Sequence, residues 1–167
     1  MSEEIRANLA ILVPRLRRFA LALCGNRDEG DDLVQTACVK ALDRAAQFQP
    51  GTRLDSWMFR IVQTTFLDER RKATRRGRQA PPEVLDALSD EGADARRRDD
   101  RLLIARIRTE IAKLPEEQRL VIGLVAIEGY TYQETAGILD IPIGTVMSRL
   151  ARARARLLPL TEDGMIS

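Results

Sequence analysis

The stretch EGYTYQETAGILDIPIGTVMSRLARARARLL, Glu128 to Leu158, decides the fold. Gly129 is a good helix stop, and Thr131-Tyr132-Gln133-Glu134 directly after it has the form of a capping box. In such a box the Thr131 hydroxyl accepts from the Glu134 amide while the Glu134 carboxylate reaches back to the Thr131 amide. A short helix to Leu139 follows, then a tight turn at Asp140-Ile141-Pro142, then a helix running to about Leu158. Two helices joined by that turn are a helix-turn-helix. At about 100° per residue, Ile143, Val146, Leu150, Ala153 and Leu157 share a sector of about 80°, so this face is expected to pack on the domain. The opposite side carries Thr145, Ser148, Ala151, Arg152 and Arg156, with Arg149 flanking. Hydroxyls and guanidiniums meet base edges and phosphates in a major groove, where a small residue permits close approach. Taken alone, the same face is compatible with a solvated basic surface. The capped helix and short turn before it favour DNA.

Working outward, Leu103, Ile107, Ile111 and Leu114 are at helical spacing, and Pro115-Glu116-Glu117 starts another helix with proline first and acids in its opening turn. In the first half Leu9, Leu12, Leu16, Phe19 and Leu23 form one helical stripe that Cys24-Gly25-Asn26 ends, with Pro14 kinking the helix or beginning its main part. A second helix opens on Asp28, Glu29, Asp31 and Asp32 and turns Leu33, Val34, Ala37, Cys38, Ala41, Leu42 and Ala45 inward. Thr52 with Asp55 is a capping pair for a third helix, whose Leu54, Trp57, Met58, Ile61 and Val62 face the core. No alternating strand pattern and no repeat interrupts this, and the fold class is all-α. Trp57, Phe59 and Phe66 could stack on unpaired bases, but core packing is the preferred reading for Trp57.

Charge is segregated along the chain. Arg70, Arg71, Lys72, Arg75, Arg76 and Arg78 follow one another with no acid between them, whereas Pro81 to Asp100 holds seven acids against three arginines behind a Pro-Pro pair. The latter has linker composition. Two helical domains, 1–76 and 101–160, joined by a flexible acidic linker over 77–100, are the expected organisation. The near balance of 27 Lys+Arg with 25 Asp+Glu conceals this arrangement. The absence of histidine removes the commonest general base, the usual metal ligand and every Ser-His or Cys-His nucleophile arrangement. Cys24 and Cys38 cannot supply four zinc ligands and are expected to fill helical core. No catalytic residue, metal site or cofactor is assigned. The apolar runs are too short to cross a bilayer, so the chain reads as cytoplasmic.

In their order and spacing, Asp31-Asp32-Leu33-Val34-Gln35, Phe48-Gln49-Pro50-Gly51, Ser56-Trp57-Met58-Phe59-Arg60-Ile61 and Asp68-Glu69-Arg70-Arg71 resemble region 2 of bacterial sigma factors of the extracytoplasmic-function (ECF) subfamily. Leu114-Pro115-Glu116-Glu117-Gln118-Arg119, Glu128 to Glu134, and Ile141 to Val146 with Ser148-Arg149-Leu150 resemble region 4. The resemblance implies an alternative sigma factor, not an enzyme, that binds core RNA polymerase and directs promoter recognition and initiation as part of a stress or environmental response. The other reading is a stand-alone helix-turn-helix regulator using only the second half. The resemblance puts Asp31, Asp32, Leu33 and Gln35 on the β′ clamp helices, with region 4 on the β flap. It puts Arg60, Thr64, Arg70, Arg71 and Lys72 at the promoter −10 element. At the −35 element it makes Ser148, Ala151 and Arg152 base-facing and gives phosphates to Thr145 and Arg149, with Met147 and Arg156 on the same helix. An anti-sigma partner is also implied. Three positions depart from the family: Thr64 stands for asparagine, Met147 for lysine or arginine, and Asp140 for the glycine of the turn.

Overall fold

Helix α1 (Ser2–Cys24) buries Ile5, Leu9, Leu16, Phe19 and Leu23 along one side and runs through Pro14, which lies on its exposed face. The computed structural model describes residues 2–77 and 95–164 of the chain, with side chains over 3–77 and 98–159. Helix α2 (Arg27–Asp43) is capped by Asn26, whose side chain accepts from the Glu29 amide at 2.9 Å. Acids at Asp28 and Glu29 complement the positive end of its dipole. A Cβ on Gly30 would lie 3.2 Å from the Leu21 backbone nitrogen, so glycine lets α2 close on α1.

After a 3₁₀ turn (Ala45–Gln47) comes α3 (Leu54–Arg75), which buries Met58, Phe59, Ile61, Val62 and Phe66. The expected capping pair of Thr52 and Asp55 does not form. The Thr52 hydroxyl donates to the Gln49 carbonyl at 2.6 Å inside the turn, and Arg53, with no side-chain cap bond, stands at the cap position. Residues 78–94 of the expected linker lie outside the described residues. Its last part, 95–100, is helical, because α4 spans Ala95–Lys113. Charge content marked this stretch as tether, yet arginine is a strong helix former and a solvated helix has the same composition.

Pro115 leads into α5 (Glu116–Ile122), which widens into a π-helical turn (Gly123–Ile127). A Cβ on Gly123 would fall 2.7 Å from Phe19 Cε2, so this turn meets α1 only because residue 123 has no side chain. Helix α6 (Tyr132–Leu139) has the expected capping box, with both Thr131–Glu134 bonds at 3.0 Å. Asp140 then takes left-handed backbone at φ 55°, a conformation aspartate tolerates better than most residues, before α7 (Ile143–Gly164). Among the described residues there is no strand.

Ile111, Leu114, Val121, Ile122, Val146, Leu150 and Ala153 form a core private to the second half. A larger core joins both halves: Leu120, Leu124, Tyr130 and Ile138 pack among the buried residues of α1, α2 and α3. At its centre Phe19 meets Phe59 edge-on at 5.2 Å, and Phe59 meets Tyr130 edge-on at 5.4 Å. Cys24 is buried and Cys38 half-buried, both as free thiols, and burial pushes the Cys24 thiol up to about 12. These cysteines pack as small apolar residues.

Candidate nucleic-acid interface

Helix α7 meets the domain through Val146, Leu150 and Ala153, all buried, with Leu157 partly covered. Ile143, expected on the same face, is 48% exposed: at the first turn of α7 it extends past the elements that cover Val146. Ser148, Ala151, Arg152 and Arg156 are exposed, while Thr145 and Arg149 are half-buried. Ser148 donates to the Thr145 carbonyl at 3.1 Å, which leaves its oxygen lone pairs outward. Among the described residues no carboxylate pairs with Arg149, Arg152, Arg154 or Arg156. Met147 is 52% exposed beside Ile143, an apolar edge to an otherwise polar surface.

On α3 the helical spacing sets Arg60, Thr64 and Arg71 on one stripe, within about 40° of one another. All three are exposed. Thr64 Oγ1 lies 3.0 Å from the Arg60 carbonyl and 3.1 Å from that of Ile61; having one proton, it bonds one at a time and keeps its lone pairs as acceptors. Arg70 points elsewhere, stacking on Phe66 at 5.2 Å and pairing with Glu116 at 3.6 Å, and Lys72 is exposed on the other flank. Phe59 and Phe66 are buried and therefore unavailable for base stacking. Trp57 is half-buried against Phe48 at 5.2 Å.

Helix α2 presents Asp32 and Gln35 to solvent, whereas Leu33 is buried beneath them as part of the core. Arg17 donates twice to Asp31, at 2.9 and 3.0 Å, and these bonds hold the Asp31 carboxyl below the usual carboxylate range. Val39 is 55% and Leu42 37% exposed, and both continue the stripe of Asp32 and Gln35. The apolar pattern of α2 places Leu42 inside and leaves Val39 out. Their signal in the sequence is an aliphatic side chain falling off the buried stripe of the helix.

Between the halves lies a polar junction that motif spacing does not reveal. Glu128 accepts from Arg18 at 2.7 and 3.1 Å and lies 3.7 Å from Arg15, its own side chain fully buried. The Tyr130 hydroxyl donates to Asp55 at 2.8 Å and accepts from Arg15 at 3.1 Å. Burial raises the Asp55 carboxyl, but the bonds from Arg53 and Tyr130 outweigh it and hold the group below its ordinary value. Arg53 also pairs with Glu134, the capping-box glutamate, which holds the Thr131 amide with its other oxygen. Buried Arg119 donates to the Leu23 carbonyl, and burial lowers its pKa.

Two helical regions, one with a basic stripe on α3 and one with an exposed basic face on a helix-turn-helix, define a two-part nucleic-acid-binding protein. Residues 10–76 match Sigma-70 region 2 and residues 104–157 match Sigma-70, region 4. The chain is 34% identical over 157 residues to the ECF RNA polymerase sigma factor EcfG of Rhodopseudomonas palustris, covering 94% of this chain and 84% of that one. The sigma factor RpoE of Bartonella quintana, solved in complex with the anti-sigma factor NepR, superposes with a TM-score of 0.81 at 28% identity over 96% of this chain and 98% of its own. CnrH, solved with the cytosolic domain of CnrY, gives 0.69 at 26% over 98% and 90%. The chain belongs to the ECF RNA polymerase sigma factors. No described helix is long and apolar enough to cross a membrane.

Proposed function

We propose that this sigma factor binds core RNA polymerase through α2, reads a −35 element with α7 and engages a −10 element with α3, leaving catalysis to the polymerase. The observation that carries the reading is the pair of exposed cationic helix faces, on regions 2 and 4, each attached to its own part of the core. Arg152, Ser148 and Ala151 face bases, Thr145, Arg149 and Arg156 serve phosphates, and Met147 offers apolar contact to a thymine methyl in place of a charged donor. Arg60, Thr64 and Arg71 line the −10 side, with Arg70 and Lys72 flanking. On α2 the polymerase face is Asp32, Gln35, Val39 and Leu42; Leu33 supports it from beneath and Asp31 is braced by Arg17. The match to region 2 over 10–76 favours this over a stand-alone regulator, whose first half would have no such pattern.

The likeness to RpoE with NepR and to CnrH with CnrY supports an anti-sigma partner for this chain as well. Within the family such a partner would couple the factor to an environmental signal, and the site of action would be the cytoplasm. Core binding provides the test. Asp32→Lys with Gln35→Ala should weaken binding to core polymerase at least tenfold, about 1.4 kcal/mol, while the isolated chain keeps its DNA affinity. Unchanged core affinity would remove α2 from the interface.

A further inference from the structure

A cavity of about 390 Å³ opens where α1, the start of α2 and the middle of α4 meet, and none of its lining comes from α3 or α7. Its size falls within the range of about 300–1,000 Å³ usual for small-molecule sites. Four arginines line it, Arg17, Arg18, Arg27 and Arg108, against one carboxylate, Asp31. The helices put them there. Arg17 and Arg18 share with Pro14 and Leu21 one stripe of α1 at helical spacing, Arg27 is the first residue of α2, and Arg108 comes from α4. Two of the four are answered within the chain: Arg17 donates twice to Asp31, and Arg18 is held at 2.7 Å by buried Glu128. Arg27 and Arg108 have no carboxylate in contact among the described residues, and Arg27 acts on Asp31 only at longer range.

Both unanswered cations stand where charge alone opposes them. Arg108 is half-buried, and a guanidinium taken part-way out of water without an anion is costly. Arg27 is in the first turn of α2, where the helix dipole disfavours a cation; Asp28 and Glu29, the acids of that turn, do not line the cavity. An anion entering the cavity would relieve both. We propose that the cavity is a binding site for a small polyphosphate, free or as the phosphate chain of a nucleotide, held by Arg27 and Arg108 with Arg17 and Arg18 adding to the field. The planar fork of a guanidinium donates two parallel bonds to phosphate oxygens, and two forks from different helices suit linked phosphates better than one. Asp31 does not close the site to an anion, because its charge is met by the two bonds from Arg17. The concave wall takes a short flexible anion, whereas the phosphates of a duplex lie on a convex cylinder that exposed helix faces meet. None of the four arginines is among the residues proposed above to meet DNA, so the site stands or falls apart from the promoter reading.

Isothermal titration calorimetry of the full chain at low salt tests this, with tripolyphosphate as the probe. Wild type should bind it saturably at one site, and inorganic phosphate about tenfold more weakly or worse. Arg27→Gln with Arg108→Gln should weaken tripolyphosphate about tenfold or more. Arg6→Gln with Arg44→Gln, an equal loss of charge at exposed positions outside the lining, should cost less than about twofold. Equal losses in the two variants, or no saturable binding by wild type, overturn the site. ATP separates the two sources. Tighter binding than tripolyphosphate assigns a nucleotide, whose base or ribose would lie on Pro14 and Leu21, and equal or weaker binding assigns the free polyphosphate; both support the site. A short DNA duplex should not distinguish the two double variants, and a loss with Arg27→Gln and Arg108→Gln as large as that of tripolyphosphate gives the cavity to DNA and overturns the proposal. Hydrogen–deuterium exchange on the wild type needs no variant to fold. Tripolyphosphate should slow exchange in peptides covering Asn26 to Asp31, and slowing confined to α3 or α7 overturns the assignment.

Discussion

Arg152 is exposed at the middle of the outward face of α7 proposed to meet the −35 element, next to the small Ala151. A bidentate guanidinium contact discriminates one base, so Arg152→Ala should cost about 1–3 kcal/mol at a single −35 position and relax preference there. Binding to a panel of single-base variants checks this, and a loss equal at every position would move Arg152 to the phosphates. Asp55 makes a second prediction, about pH. Its carboxyl is held below the ordinary 3.8 by Arg53 and Tyr130 despite burial. A group with a lowered folded value stabilises fully above its unfolded value and loses that contribution as pH falls through the folded one. Thermal melts of wild type and Asp55→Asn should therefore converge as pH drops below about 3.8 and remain separated at neutral pH. Curves that stay parallel into acid would show that Asp55 carries no such linkage. Neither Asp55 nor Tyr130 drew attention as a junction residue in the sequence, since their partnership spans 75 positions and follows no local pattern.

At the scale of elements, the helix-turn-helix was legible because its signals are local. The capping box, the Asp140 turn and the buried side of α7 at Val146, Leu150 and Ala153 each depend on residues within a turn or two. Thr131→Ala should remove one cap bond and cost about 1 kcal/mol in chemical denaturation, with Thr131→Ser restoring it. Failure of serine to rescue would assign the loss to the threonine methyl. The ends of elements were less legible, because exposure there depends on which remote element happens to reach. Ile143 has the right spacing for burial and is exposed, and Thr52 spends its hydroxyl inside the turn. Nothing local in the sequence marks Gly123, yet its missing Cβ is what admits Phe19. Gly123→Ala should cost about 1–3 kcal/mol of stability through overpacking at that contact.

For the whole molecule, charge blocks and apolar periodicity lead to the expectation of two helical halves. They could not tell whether the halves meet. That information is dispersed over single residues, Arg15, Arg18, Arg53, Phe59 and Tyr130, which look unremarkable until the helices are assembled. The assembled protein holds two exposed cationic helix faces and an exposed α2 surface on one framework. The most direct test combines the purified chain with core RNA polymerase and a library of genomic fragments, and maps transcript starts. The account predicts starts at a fixed distance downstream of a shared two-part motif, dependent on the chain and reduced by Arg152→Ala. A chain that binds DNA but neither associates with core polymerase nor alters where it starts would contradict it.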